Sequence, residues 1–482
     1  MNRNLYTYDL IYKAEQETFK AVESFEIMKK AASTSYEYIL KNFANKKFLI
    51  FCGPGNNGGD GILIAKYLLE KDQSVKISFP MTKPKTPDSI RAFAELNNEK
   101  VIDENPNLAD YDIIIDAIFG TGLKNRINDS LYNLIDKINS SKKIIISIDI
   151  PSGININTGK FLKSAVRSNE TITFHRFKPG QWLLPGKEYC GKINLMEIDL
   201  VDLDSECKIQ LNYPEKLPAP NLNQHKFDRG SCAIIAGKKL VGASKIAFLS
   251  ASQSALRSGA GLCNLFVEES QKDIFRPHVL EEMIVTYNNL DELKENILNS
   301  KISSIIFGCG IENESQNTNI LEFLINSEIN LVLDATAFSI IITNKNHFIK
   351  LLKNRKAETI LTPHEGEFKK VFNITGNKIE DALLASRETN SVVIYKGNDS
   401  VIVSPEGDVI VNYETSPYLA TAGSGDVLAG IIGGVILQHP DPFKAAKIGC
   451  YIHSQCALKI GPGLIASDLI KLIPEVIKEI NT

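Results

Sequence analysis

The chain has 482 residues, 43% of them hydrophobic and 23% charged, a globular composition with room for two to three domains. A formal net charge of −3 leaves no basic excess to neutralise phosphates, which argues against a nucleic-acid partner. No apolar run approaches bilayer length, and the charged opening "MNRNLYTYDLIYKAEQ" lacks a signal-peptide core, so no membrane partner and a cytoplasmic location are expected. None of the eight cysteines forms C-x-x-C, and several lie in apolar runs, so reduced structural thiols are expected. The few histidines form no H-x-x-x-H pair and argue against zinc.

In chain order, the pattern predicts one long amphipathic helix over about 9–43. Strands follow at 46–53, 74–80, 111–120 and 142–153, with helices at "DGILIAKYLLEK" and "DSLYNLIDKINSS". Strand–helix alternation at this spacing predicts an α/β fold with a parallel sheet covered on both faces. Near 204–230 the periodicity breaks in a proline-containing stretch, a domain junction, and we place the domains at 1–208 and 209–482. Strands resume at "SCAIIAG", "LCNLFVE", "SSIIFGCG", "NLVLDA", "ETILTPHEGE" and the closely spaced runs of 391–412. Those last runs predict a hairpin and hence a mixed sheet, and helices dominate from Gly425 to Ile480.

The segment "FCGPGNNGGDG" contains a formal G-x-G-x-x-G at Gly53, Gly55 and Gly58. A dinucleotide fingerprint also needs an acid at the end of the second strand, and that strand ends at Phe79-Pro80 instead. Asp60 in the same loop would oppose a pyrophosphate. The carbonyl- and amide-rich turn suits a polar ligand or a hard cation. A parallel sheet brings two later strand ends to the same edge, carrying Asp116 and then Asp149 with Ser152.

"GPGNNGGDG", "DAIFGTGLKN" and "IDIPSGININ" together resemble the N-terminal YjeF-type domain, the epimerase of hydrated NAD(P)H. The resemblance implies that Asn56, Asn57, Gly58, Gly59 and Asp60 bind the hydrated nucleotide. It implies the same for Gly120, Thr121, Gly122, Leu123, Lys124, Asn125 and Arg126. Asn57, Asp116 and Ser152 would ligate potassium, and Asp149 would contact the substrate as the acid/base.

In the second half, "YLATAGSGDVLAGIIGGVIL" sets Gly423, Ser424 and Gly425 at a helix start, where backbone N–H groups converge into an anion hole. Asp426 follows in the first turn. A carboxylate base beside an anion hole is what transfer of a phosphoryl group to a hydroxyl requires. Lys396 at a strand end reads either as a phosphate contact or as a solvated lysine. His364 and Glu367 read as a turn leading into a helix start.

With "LRSGAGL", "FGCG" and "LDATAF", these segments resemble the C-terminal YjeF-type domain, an ADP- or ATP-dependent dehydratase of hydrated NAD(P)H with a ribokinase-like fold. The fold class implied is a Rossmann-like three-layer sandwich followed by a ribokinase-like α/β domain, as in bifunctional NAD(P)H-hydrate repair enzymes. The resemblance implies Asp426 as base in contact with substrate and Lys396, Gly397, Asn398, Asp399, Ser400, Gly423, Ser424 and Gly425 at the nucleotide. Ala243, Gly310 and His364 would lie at the hydrated nicotinamide. It also implies magnesium, small-molecule partners (hydrated NADH or NADPH, ADP or ATP) and a homo-oligomer. The chain departs from the family at Cys309, Glu312, Thr336 and Glu365, and the departures at Glu312 and Thr336, in place of the usual glycine and aspartate, are expected to reshape the second pocket or weaken magnesium binding. A small-molecule kinase of the same fold and a non-enzymatic dimerising scaffold are the alternative readings.

Overall fold

The computed structural model describes residues 3–122, 128–161, 163–239 and 241–482. The chain divides into two compact units, Met1–Gln210 and Leu211–Thr482.

The first unit is built on six parallel strands, β1 (Lys47–Cys52), β2 (Ser74–Ser78), β3 (Ile113–Ala117), β4 (Ile144–Ile148), β5 (Glu170–Phe174) and β6 (Lys192–Met196). Their order across the sheet is β2-β1-β3-β4-β5-β6. The helices are α1 (Tyr8–Thr18), α2 (Ser24–Phe43), α3 (Asn56–Leu69), α4 (Pro87–Leu96) and α5 (Asp129–Ser140). Side chains alternate across a strand, and β1 shows it. Phe48, Ile50 and Cys52 pack with α2, α3 and α4, while Leu49 and Phe51 pack with Leu131, Ile135 and Ile138 of α5. The sheet is therefore buried on both faces.

Two expectations need correction. The single helix over 9–43 is two helices, α1 and α2. The chain leaves α1 after Thr18, whose hydroxyl donates to the Ala14 carbonyl (2.7 Å) and accepts from Val201 N–H (2.8 Å). Glu23 then adopts an extended conformation, and the restarted helix buries Phe25 and Met28. Strands β5 and β6 escaped the sequence reading because β5 buries two threonines among its apolar residues and β6 is only half-buried.

A short strand, β7 (Ile209–Leu211), covers the point of division. The second unit continues with β8 (Ser231–Ile235), β9 (Leu262–Glu268), β10 (Met283–Tyr287), β11 (Ser304–Phe307), β12 (Asn330–Leu333), β13 (Thr359–Leu361), β14 (Val392–Tyr395), β15 (Val401–Val403) and β16 (Val409–Val411). Read across the sheet they run β10-β9-β8-β11-β12-β13-β14-β15-β16. Pairing is parallel as far as β14 and antiparallel from β14 to β16, the mixed sheet that the close spacing predicted. The helix Ser424–Gln438 is buried almost throughout and packs against the helix Val241–Arg257. Its glycines allow that approach, since a Cβ on Gly430 or Gly434 would lie 2.3 or 2.4 Å from the carbonyl oxygens of Ala251 and Ala255. All eight cysteines are free thiols. No helix among the described residues is long and apolar enough to cross a membrane.

The glycine-rich turn after β1 is a packing device. A Cβ on Gly53 would meet the Ile118 carbonyl oxygen at 1.8 Å, and one on Gly58 would meet the Gly53 carbonyl oxygen at 1.9 Å. Both obstacles are backbone, so they yield little. Gly58→Ala should therefore cost the first unit at least about 1–3 kcal/mol. In the intact chain, hydrogen exchange should accelerate in β1 and β3 and stay unchanged in β11.

Candidate active sites

In the first unit the turn into α3 and the carboxyl ends of β3 and β4 meet at one edge of the sheet. Asp116, fully buried at the end of β3, is wrapped by donors. Ser152 Oγ (2.6 Å) and Ile118 N–H (3.3 Å) reach its Oδ1, while Ser147 Oγ and Ser152 N–H (both 2.8 Å) reach its Oδ2. Burial raises its pKa, and those hydrogen bonds oppose the rise. Ser152 Oγ also accepts from Phe119 N–H (2.9 Å).

Asp149 follows β4 with φ +69, a left-handed conformation that is strained for a side-chain-bearing residue. The surroundings over-determine it. Its N–H donates to the Ile172 carbonyl (2.6 Å), its own carbonyl accepts from Gln181 Nε2 (3.0 Å), and Oδ2 accepts from Thr121 N–H (3.0 Å). Oδ1 pairs with Lys178 Nζ at 2.8 Å. Lys178 is 1% exposed and also donates to Thr173 Oγ1 (2.6 Å) and the Phe174 carbonyl (3.0 Å). Breaking one partner of such a buried pair is costly, because the survivor keeps its charge without compensation.

Asp149 and Lys178 help to line a cavity of about 530 Å³, together with Asn56, Asn57, Asp60, Gly120, Thr121 and Gly122. Gly120 is required at the convergence, since a Cβ there would lie 3.0 Å from Asp149 Oδ2 and 3.3 Å from Asn57 Cβ. Among the described residues the amide oxygen and nitrogen of Asn57 are buried with no hydrogen-bond partner, an unusual state for buried polar atoms. Asn56 Oδ1 accepts from the Thr86 hydroxyl (2.6 Å). Gly58 packs on the Gly53 carbonyl, and Gly59 packs against Met28 and Ser89. Burial, and then Asp149, push the Asp60 carboxyl well above the usual carboxylate range. Leu123, Lys124, Asn125 and Arg126 lie outside the described residues.

The second unit repeats the arrangement. Asp334, 2% exposed just after β12, accepts from Lys396 Nζ at 2.6 Å, and Ala335 next to it is held at φ +47. Burial opposes the Lys396 charge, but Asp334 and Glu367 hold its pKa above the ordinary lysine value. Gly423 adopts φ +85 as N-cap of the helix Ser424–Gln438. A Cβ on Gly425 would sit 3.4 Å from Lys396 Nζ and 3.5 Å from Asp334 Oδ2, so the helix start lies directly against the ion pair.

Asp426, in the first turn, is pushed up to about 6 by burial and then by Asp334, with Cys309 and Lys396 opposing. Ligand atoms of Cys309, Asp334 and Asp426 all lie within 4.8 Å of one another. Glu367 is raised to about 7 by burial and then by Asp334. His453 Nε2 donates to the Ser424 carbonyl (2.9 Å), and burial lowers its pKa to about 4, so a neutral ring anchors the helix start.

A cavity of about 500 Å³ opens beside this helix start, lined by Lys396, Gly397, Asn398, Ser400, Ser424 and Gly425, with His364 and His453 at its wall. Ser400 Oγ accepts from Gly397 N–H (3.0 Å), and Asp399 pairs with Lys378. His364 caps the helix Glu365–Val371, its Nδ1 accepting from Gly366 and Glu367 N–H. Gly310, at φ +64, presses its carbonyl toward Gly237, where a Cβ would approach to 2.4 Å. Ala243 lies on the helix Val241–Arg257, in a stretch described by its backbone alone. The Thr336 hydroxyl donates to the Ile311 carbonyl (2.9 Å), and Glu365 pairs with Lys369. Glu312 accepts the backbone N–H groups of Lys238 and Lys239 in its carboxylate.

Lys178 and Asp334 were not assigned roles from the sequence. Lys178 lies in "HRFKPG", a basic stretch that reads as surface until β5 is recognised before it. Asp334 ends "NLVLD", the same strand-end signal that identified Asp116 and Asp149.

Residues 24–180 match the family model for the YjeF-related protein N-terminus, and residues 232–477 match the model described as NAD(P)H-hydrate dehydratase. A bifunctional NAD(P)H-hydrate repair enzyme Nnr of Dictyoglomus turgidum is 31% identical over 494 residues, covering 94% of each chain. The enzyme of that name from Thermofilum pendens is 30% identical, covering 84% of this chain and 81% of its own. Among solved structures, an ADP/ATP-dependent NAD(P)H-hydrate dehydratase from Bacillus subtilis is 25% identical and covers 56% of this chain and 95% of its own, with a TM-score of 0.46.

The electrostatics of Asp426 give a stability prediction. Its folded pKa of about 6 lies above the unfolded value, so the folded state holds the proton more tightly between the two. Stability is therefore lost as pH rises from about 4 to about 6 and stays reduced above that. Asp426→Asn should stabilise the second unit by about 1–3 kcal/mol at pH 8 and by almost nothing at pH 4. Thermal unfolding at the two pH values reads the difference.

Proposed function

The chain belongs to the family of bifunctional NAD(P)H-hydrate repair enzymes, and from that premise we propose how its two sites carry out the repair. It is a metabolite-repair enzyme, epimerising the R and S forms of hydrated NADH and NADPH and dehydrating the S form at the expense of ADP or ATP. Residues 1–208 carry the epimerase and residues 209–482 the dehydratase.

At the second site Asp426, ionised at neutral pH, takes the proton of the ring hydroxyl, and the freed oxygen attacks the terminal phosphoryl group of the nucleotide. The N–H groups of Gly423, Ser424 and Gly425 hold that group in transit, with Lys396 as the adjacent point charge. Gly397, Asn398 and Ser400, which line the cavity, take the nucleotide, with Asp399 beside them in sequence. By the family resemblance Ala243, Gly310 and His364 are assigned to the hydrated nicotinamide, and of these three His364 lines the cavity. Phosphate is a far better leaving group than hydroxide, so its departure, with loss of a ring proton, restores the dihydronicotinamide. The Cys309, Asp334 and Asp426 cluster is a poor match for magnesium. Burial holds the Cys309 thiol well above its usual range, and Asp334 is committed to Lys396. Magnesium belongs with the nucleotide's own phosphates.

At the first site Asp149 exchanges a proton with the hydrate, and Lys178 fixes its orientation and charge. The residues suit potassium: Asn57 offers a buried, unpartnered amide oxygen, and Asp116 and Ser152 supply further oxygens. Bound there, potassium would neutralise the buried Asp116 and pin the Asn57 turn. What supports the whole reading is the end-to-end similarity to enzymes named for both activities, together with a carboxylate–lysine pair at a cavity in each unit.

The test uses a mixture of both NADH hydrate epimers, with and without ADP, following reduced-nicotinamide absorbance. Complete ADP-dependent recovery is expected. Recovery stalling near half would remove the epimerase, and none would overturn the reading. Asp426→Asn should lower dehydration by about 10²–10⁴-fold and leave interconversion intact, and Asp149→Asn should do the converse.

A further inference from the structure

The first cavity holds an acid that the reading above does not use. Glu15 lies on α1, outside the matched residues 24–180, and lines the same cavity as Asp149 and Lys178. Among the described residues its carboxyl has no hydrogen bond or ion pair. The charged groups that face it are Asp149 and Lys178 from the strand ends and Asp60 from α3, with Asp88 of α4 behind Asp60. A half-buried carboxyl directed at a cavity and bound to nothing is costly to keep unless something there uses it.

The chemistry of the epimerase needs a second group. The two hydrates differ in which face of the ring carries the hydroxyl, and one carboxylate reaches one face. Resting on the epimerase reading, we propose that Glu15 is the second catalytic acid/base of the inversion, serving the ring face opposite Asp149. In one direction Glu15 gives its proton to the hydroxyl. The C–O bond breaks, its electron pair leaves with the oxygen as water, and the lone pair of the adjacent ring nitrogen fills the vacancy. A water molecule then adds to the other face, its electron pair forming the new C–O bond and its proton passing to Asp149. One water leaves and one enters, so the product keeps the composition of the substrate. The reverse direction exchanges the two roles, and solvent returns the protons. Burial, and then Asp149, raise Glu15 to about 7, so near neutrality it is present both as acid and as base.

The experiment follows interconversion of the hydrate epimers by chromatography, with the full-length protein and no nucleotide. If the wild-type protein does not interconvert them, the epimerase reading itself fails and this proposal falls with it. Given wild-type activity, Glu15→Gln should lower kcat by about 100-fold or more with KM little changed, and Glu15→Asp should restore part of the loss. Since Glu15 must be protonated to act as acid, wild-type kcat/KM in that direction should fall as pH rises through about 7, and the residual activity of Glu15→Gln should lack that limb. ADP-dependent dehydration of the S epimer should remain at its wild-type rate, a control for folding. In ¹⁸O-enriched water each inversion should place one solvent oxygen in the product. Wild-type kcat in Glu15→Gln, a loss confined to KM, a retained basic limb, or inversion without ¹⁸O uptake would each overturn the proposal.

Discussion

Taking a carboxylate out of water at the end of a parallel strand is the constraint on which both units are built. Ionised and alone, such a group would protonate or destabilise the fold. The same remedy appears twice. Asp149 is held by Lys178 at 2.8 Å and Asp334 by Lys396 at 2.6 Å, with a non-glycine residue forced to positive φ beside or at the acid. The strain is affordable because hydrogen bonds from neighbouring segments leave the backbone no alternative. Once the lysine is in place, the cavity beside it acquires a fixed electrostatic polarity.

The two sites spend that polarity differently. Around Asp116 and Asn57 the donors are all oxygen and amide groups, a set suited to neutral substrate atoms and a hard cation. Around Asp426 the neighbours are Asp334, Cys309 and Lys396, so the base sits with its proton affinity raised beside a helix start whose N–H groups take an anion. Packing glycines make both possible. Gly53 lets the turn after β1 lie directly on Ile118 beyond β3, Gly58 lets α3 lie on that turn, and Gly430 and Gly434 let the central helix of the second unit sink against its neighbour. Two of the three glycines that imitate a dinucleotide fingerprint, Gly53 and Gly58, thus serve backbone contact, whereas a Cβ on Gly55 would meet nothing within 4 Å.

Much of this was legible in the sequence where local signals and packing agree. The GSGD helix start, the strand ends carrying Asp116 and Asp149, and the mixed second sheet all follow from periodicity and turn chemistry. What escaped did so for physical reasons. Lys178 has the composition of a surface residue, and only burial against the end of β5, where it donates to Thr173 and Phe174, makes it a partner. Glu15 is one of many acids on an amphipathic helix, and nothing local marks the turn of that helix that overlooks a cavity. Strands β5, β6 and β10 carry threonine, asparagine or exposed methionine where alternation would want apolar residues. The break between α1 and α2 depends on Thr18 meeting Val201, a contact across 183 positions that no local window contains.

Glu312 has a consequence of a different kind. Its carboxylate already occupies the backbone N–H groups of Lys238 and Lys239, so the loop carries its own counter-anion. An acidic group approaching those amides would first have to displace that side chain. Access of an acidic group to the Lys238 and Lys239 amides is therefore adjustable through one codon, a dial that selection can turn with a single side chain.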